Sequence, residues 1–195
     1  IIEVCEKHSA QLIVDEAHAV GVFGAHGEGL VNHYQLEDKV FACVYTFGKA
    51  LGLHGAAVAG SEALKNYLIN FARSFIYSTA LPPHAYYQIQ KAYELLPLAD
   101  QKKLVELIDY FKKASRSVKS FSFLESNSQI QGVVVGDNAK ARALSLHLFE
   151  KGIYAKAIVS PTVALGSERL RICLHTFNSK EQIDLLMNEL NHFSK

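Results

Sequence analysis

Cysteine is scarce in this 195-residue chain: Cys5, Cys43 and Cys173 are an odd number, far apart, with no C-x-x-C pair. That spacing excludes a disulfide framework and a cysteine zinc site, and it points to a reducing, cytosolic compartment, so a cytoplasmic location is expected. His8, His26, His33, His84 and His147 have no companions at metal-ligand spacing, so no metal site is assigned. Charge of one sign is also missing: Lys and Arg total 20 against 19 for Asp and Glu. No net field exists to collect nucleic acid or an anionic membrane surface, which leaves small molecules or another subunit as partners. No apolar run approaches the roughly 20 residues that span a bilayer, and the N-terminus lacks the basic-then-apolar pattern of a signal peptide. A soluble protein is expected. There is no internal repeat and no low-complexity segment.

What is present is an ordinary globular composition, 49% hydrophobic and 20% charged, which rules out disordered and fibrous classes. Ile1, Val4, Cys5 and His8 share one helical face, and Leu12-Ile13-Val14 then suits a strand buried on both faces, an α/β crossover. With no initiator Met, the chain reads as one piece of a longer protein, starting inside a helix. Gly21 to Gly29 holds four glycines in nine residues, so a loop is predicted at the carboxyl end of that strand, the edge where ligands bind in open α/β sheets. Val40 to Tyr45 is again strand-like and ends in Thr46-Phe47-Gly48-Lys49, with Gly52 and Gly55 beyond. Ala56 to Gly60 predicts a short strand. Ser61 predicts an N-cap for a helix to about Phe71, with Glu62 favourably placed in its first turn. A helix from about His84 to Leu96 is ended by Pro97.

After Pro97 the texture changes. A Lys-rich amphipathic helix carries Leu104, Leu107, Ile108 and Phe111, and a strand at Ile130 to Val135 and a helix at Ala139 to Lys151 follow. A strand pair around Tyr154–Val159 and Leu170–Leu174 precedes a last helix from Ser179. The predicted organisation is α/β: residues 1–97 as part of a larger sheet domain, and 98–195 as a smaller α+β domain.

Three features carry chemistry. Asp15-Glu16-Ala17-His18 stands where a buried strand runs into a glycine loop, so Asp15 is expected to lie deep, with a partner, while His18 reaches a ligand. Thr46 and Lys49 put a hydroxyl and an amine three residues apart at a second strand end. Tyr77-Ser78-Thr79 supplies adjacent hydroxyls before Pro82-Pro83. Singly, Asp15 reads as a loop cap, Lys49 as a solvated lysine, and Ser78 and Thr79 as turn residues. Together, in this order, an amine with a tunable pKa, phosphate-binding hydroxyls and a carboxylate for a protonated ring nitrogen describe pyridoxal 5'-phosphate chemistry.

VDEAHAVGVFGAHGEG followed by TFGKALGLHGAAVAG resembles the α-oxoamine synthases, aminotransferase-like fold-type I pyridoxal-phosphate enzymes that join an amino acid to an acyl-CoA with loss of carbon dioxide. GAAV at Gly55–Val58, FARSFIYSTALPP at Phe71–Pro83 and VVVGDNAKA at Val133–Ala141 are most similar to the biotin-synthesis branch, which condenses L-alanine with a pimeloyl thioester. The resemblance covers the whole chain. It implies that roughly the N-terminal half of such an enzyme is not in this sequence, so the large domain is represented by its C-terminal portion and the active site is incomplete.

The resemblance also implies roles. Lys49 matches the lysine that forms an imine with the cofactor, Asp15 the partner of the pyridine nitrogen, and His18 the hydrogen bond to the ring oxygen. Thr46 matches a phosphate contact, and Ser78 and Thr79 match a segment that reaches the phosphate of the neighbouring subunit, which implies a homodimer. Arg171, second arginine of Arg169-Leu170-Arg171, matches the residue that binds the amino-acid carboxylate, a bidentate task suited to guanidinium. Alternation puts Arg169 on the same face as Arg171 and leaves the depth of both open; Arg169 is read as an outward strand residue. One departure stands out: related synthases carry Arg-Pro-Pro-Thr-Val-Pro where this chain has Val159-Ser160-Pro161-Thr162-Val163-Ala164. The acyl donor, on coenzyme A or on a carrier protein, presents the same thioester. A synthase using glycine and acetyl-CoA, another α-oxoamine synthase with a different amino acid and acyl-CoA, or a non-catalytic fragment or homologue are the other readings. The joint presence of Lys49, Asp15 and His18 favours an enzyme.

Overall fold

The computed structural model describes residues 1–193. The chain divides into two compact units, Ile1–Ala99 and a second beginning at Asp100. The division lies just beyond Pro97 because Leu96 is buried within the first unit, its side chain close to Gly21.

The first unit runs α1 (Ile2–Lys7), β1 (Ile13–Asp15), α2 (Leu30–His33), β2 (Ala42–Thr46), β3 (Ala56–Gly60), α3 (Glu62–Phe71), α4 (Arg73–Ile76) and α5 (Pro83–Leu95). Its sheet has the order β1-β2-β3. β1 and β2 are parallel, with Asp15 opposite Val44, and β2 and β3 are antiparallel, with Thr46 opposite Ala56. Buried Ala42, Cys43 and Phe47 make β2 the apolar centre of this sheet. β1 departs from the expectation of a strand buried on both faces, since Ile13 is 61% exposed. Among the described residues β1 pairs with β2 on one side.

Local signals act as the sequence predicts. The Ser61 hydroxyl accepts from the Leu64 N–H at 3.2 Å and opens α3. Pro83 occupies the first turn of α5, where its missing N–H costs nothing, and a 3₁₀ turn at Leu96–Leu98 closes the segment. Neither α3 nor α5 has a fully buried residue. Tyr67, Phe71, Phe75 and Tyr87 are among the large apolar side chains left exposed around them.

The second unit holds α6 (Gln101–Ala114), β4 (Ser122–Phe123), β5 (Ile130–Val134), α7 (Asn138–Glu150), β6 (Lys156–Ile158), β7 (Arg169–Cys173) and α8 (Lys180–Phe193). Its four strands form an antiparallel sheet in the order β4-β5-β7-β6. One face of the sheet and the three helices share a core of Phe111, Val133, Leu144, Leu148, Leu170 and Leu190. Each such burial is worth about 1.5–3 kcal/mol, enough to set which stripe of each helix turns inward. The predicted stripe of α6, Leu104, Leu107, Ile108 and Phe111, is the buried one. Asp137 caps α7 through the Lys140 N–H at 2.8 Å. Ser179 and Gln182 cap α8 reciprocally, at 3.3 and 3.1 Å. No helix among the described residues is long and apolar enough to cross a membrane.

Candidate active site at the strand ends

Because β1 and β2 are parallel, their carboxyl ends open at one edge of the sheet. Asp15 ends β1, and β2 continues two residues past its partner Val44 to Thr46. The Glu16 N–H donates to the Val44 carbonyl at 2.8 Å and closes the ladder. The Asp15 carboxylate accepts from the Ala17 N–H at 2.8 Å, a tight turn that starts the glycine loop. His18 follows on the same loop and is exposed.

Asp15 does not lie deep, as the sequence leads one to expect: it is exposed, and its neighbour Glu16 is fully buried instead. The period-2 alternation of β1 puts Ile13 and Asp15 on one exposed side, and Glu16 follows inward. There its carboxylate accepts from the Leu30 N–H at 3.0 Å and the Val31 N–H at 2.6 Å, the otherwise unsatisfied donors at the start of α2. Gly29, at φ +120°, fits because a Cβ would stand 2.9 Å from that carboxyl group. Glu16 therefore ties together the two ends of the loop that follows Asp15 and carries His18. Sequence reasoning missed it, since the only signal is an acidic residue fourteen positions before a very short helix.

The second loop is held as firmly. Phe47 N–H donates to Gly55 at 3.0 Å, Leu53 N–H to Phe47 at 2.8 Å, and Gly52 N–H to Lys49 at 3.1 Å. Phe47 is buried and meets the Tyr93 ring edge-on at 6.2 Å between centroids. Burial pushes the Tyr45 and Tyr93 phenols and the Cys43 thiol above their ordinary ranges, marking an apolar floor under β2. Above it Lys49 is exposed, and its ammonium donates to the Thr46 hydroxyl at 3.4 Å. The two loops touch: a Cβ on Gly21 would lie 2.7 Å from the Cβ of Ala50.

The structure thus brings Asp15 and Thr46, the last residues of β1 and β2, and His18 and Lys49, on the adjoining loops that follow them, to one sheet edge. Ser78 and Thr79 lie in an exposed segment after α4, where the Ser78 hydroxyl donates to the Ser74 carbonyl at 2.5 Å. No hydrogen bond among the described residues joins them to Thr46 or Lys49. Leu81, two residues on, ties that segment to the lysine turn, 3.0 Å from where a Gly55 Cβ would stand. Arg171 belongs to the second unit, on β7, exposed and on the same face as Arg169, whose Nε donates to the Ser167 carbonyl at 2.9 Å. His54 is exposed, and no metal-binding cluster occurs among the described residues.

The model of the aminotransferase class I and II family matches residues 1–190. The chain belongs to that family. This aminotransferase-family chain is 40% identical over 193 residues to an 8-amino-7-oxononanoate synthase of Pseudomonas putida strain W619, covering 97% of this chain and 49% of that enzyme. The crystal structure of 8-amino-7-oxononanoate synthase from Francisella tularensis superposes with a TM-score of 0.85 at 30% identity, over 98% of this chain and 57% of the other. Serine palmitoyltransferase of Sphingomonas wittichii superposes with a TM-score of 0.88 at 27% identity, over 98% and 49%. The fold is therefore the α/β architecture of the fold-type I pyridoxal-phosphate enzymes. The chain spans about half the length of the curated relatives it matches.

Proposed function

We propose that this chain belongs to a pyridoxal-phosphate-dependent α-oxoamine synthase that condenses L-alanine with a pimeloyl thioester, with decarboxylation, to 8-amino-7-oxononanoate. The observation that carries the reading is the Lys49 amine, within 3.4 Å of the Thr46 hydroxyl, on the loop beside the carboxyl end of β1, where Asp15 stands. The likeness to 8-amino-7-oxononanoate synthases supports the choice of substrates.

The donor set fits the cofactor. It offers a carboxylate for a pyridine nitrogen, an imidazole for a ring oxygen, a hydroxyl for phosphate and an amine for an aldehyde. Asp15 accepts from the Ala17 N–H through one oxygen and is exposed at the end of β1. Lys49 would hold the group through its amine, Asp15 and His18 would orient its ring, and Thr46 would contact its phosphate. Ser78 and Thr79 would serve the phosphate of the neighbouring subunit in a homodimer. When bound, the group supplies an electron sink that stabilises negative charge at the amino acid's α-carbon.

The protein's own residues do the rest. Lys49 Nζ, as a free amine, takes the α-proton and later returns one to the same carbon after carbon dioxide leaves. Asp15 would hold a proton on the pyridine nitrogen and so strengthen that sink, and its loss should slow proton removal more than it weakens binding. Arg171 holds the substrate carboxylate through its planar fork. Residues 1–97 are read as the C-terminal portion of the cofactor-binding domain with its interdomain helix, and 98–195 as the small domain, in a cytoplasmic enzyme.

The test is borohydride reduction of the chain with pyridoxal phosphate, followed by peptide mapping, in the chain alone and complemented with the N-terminal half of a curated relative. A pyridoxyl adduct on Lys49, lost in Lys49→Ala, is expected. Release of free thiol from pimeloyl-CoA should follow L-alanine rather than glycine. An unlabelled Lys49 in both preparations overturns the cofactor role, and a response to glycine alone overturns the substrate assignment.

A further inference from the structure

The sheet of the second unit buries Gln131, Val133, Leu170 and Ile172 on its helix-covered face. Alternation leaves Arg169, Arg171 and Cys173 of β7 on the other face, together with Lys156 and Ile158 of β6. In this register Lys156 stands directly opposite Arg171. Two cations facing each other across an antiparallel ladder, with Cβ atoms about 4.5–5.5 Å apart, repel and destabilise the pair. Neither makes an ion pair with an acid among the described residues. Arg169, the third cation of this face, differs, because its Nε is already committed to the Ser167 carbonyl. On the opposite side of Arg171 the partner is Gly132, over which the Leu124 side chain lies, 2.7 Å from where a Cβ would be. Arg171 is thus flanked by a second cation on one strand and by a small apolar floor on the other.

We propose that Lys156 is the second cation of the carboxylate site at Arg171, so that one small aliphatic carboxylate is held between them. This rests on the reading of Arg171 given above. A carboxylate offers about four lone-pair sites: the guanidinium fork takes two, and the ammonium, a compact point charge, takes a third. The anion removes the repulsion that the unliganded pair carries, and the Gly132 and Leu124 side accepts a short side chain such as that of L-alanine.

The test uses the chain without cofactor. Backbone amide signals of residues 156–158 and 169–173 are followed by NMR during titration with L-alanine, acetate or alaninamide, with chloride balancing ionic strength. Saturable shifts are expected with alanine and acetate and none with alaninamide. Lys156→Met should weaken binding about tenfold, as should Arg171→Met, while Lys156→Arg stays within about twofold of the parent. Equal affinity in Lys156→Met and parent, with Arg171→Met impaired, overturns the role of Lys156 and leaves Arg171 in place. An unimpaired Arg171→Met overturns the shared site together with the assignment of Arg171. Shifts reproduced by chloride overturn the proposal as well, since they mean screening rather than a site.

Discussion

Replacing Glu16 with alanine removes the carboxylate that accepts from Leu30 N–H at 3.0 Å and Val31 N–H at 2.6 Å. Hydrogen bonds to a carboxylate contribute about 1.5–3 kcal/mol each, and the part-buried Leu30 and buried Val31 donors lose their acceptor. Because the two bonds share one carboxylate they do not add fully, so Glu16→Ala should cost about 3–5 kcal/mol, a large part of a typical domain's 5–15. Glu16→Gln keeps one acceptor oxygen but presents its NH₂ to the other donor, and about half the loss or more is expected. Urea unfolding gives the free energy, and native-state hydrogen exchange at Leu30 and Val31 reports the local event. Both amides should exchange orders of magnitude faster in Glu16→Ala. A cost below about 1 kcal/mol with unchanged protection at both amides would refute the argument that this carboxylate closes the loop. If the loop loosens, Asp15 and His18, which flank Glu16, lose their fixed backbone, and pyridoxyl labelling of Lys49 should fall even though Lys49 itself is untouched.

Three further outcomes follow from the geometry. Gly21→Ala places a methyl 2.7 Å from the Ala50 Cβ at φ +81°, so it should cost about 2 kcal/mol or more and disturb the lysine turn, whereas Gly52→Ala, with nothing within 4 Å, carries only backbone strain of about 1 kcal/mol; thermal unfolding of both variants separates the two terms. Ser179→Ala removes one arm of the reciprocal cap of α8 and should lower stability by about 1 kcal/mol in denaturant titrations, with Ser179→Asp retaining most of it. Burial raises the Tyr45 and Tyr93 phenols above the ordinary value of 10.0, so the folded chain keeps these protons where the unfolded chain loses them. Their contribution is therefore present in full below pH 10.0 and is lost as pH climbs past it; ultraviolet titration should show late-ionising tyrosines, one fewer in Tyr45→Phe.

Local chemistry was legible in the sequence wherever a single element decides the outcome. The helix at Glu62–Phe71 begins where Ser61 can cap it, α5 starts at a proline and stops at another, and the 3.6-residue stripe of α6 turns inward because four apolar residues cannot face water together. The candidate residues Asp15, His18, Thr46 and Lys49 were picked out by their types and order, since a carboxylate, imidazole, hydroxyl and amine at glycine-rich strand ends are visible without coordinates, and the fold sets them at neighbouring strand ends. Burial was not. Whether Asp15 or Glu16 goes inside depends on which side of β1 is covered, and that is settled by strand pairing and by the donors of α2, fourteen residues away. The short strand Ser122–Phe123 and the helices α2 and α4 were equally invisible, because two to four residues carry too little periodicity to signal their state. The facing of Lys156 and Arg171 exists only in the register of β6 on β7, a long-range choice made when the buried face of that sheet meets its helices. Sequence determined which side-chain types stand at the strand ends and the local stops and starts, because those energies act within a few residues. Tertiary structure decided depth, register and neighbours, because those energies come from surfaces that meet only after the chain has folded.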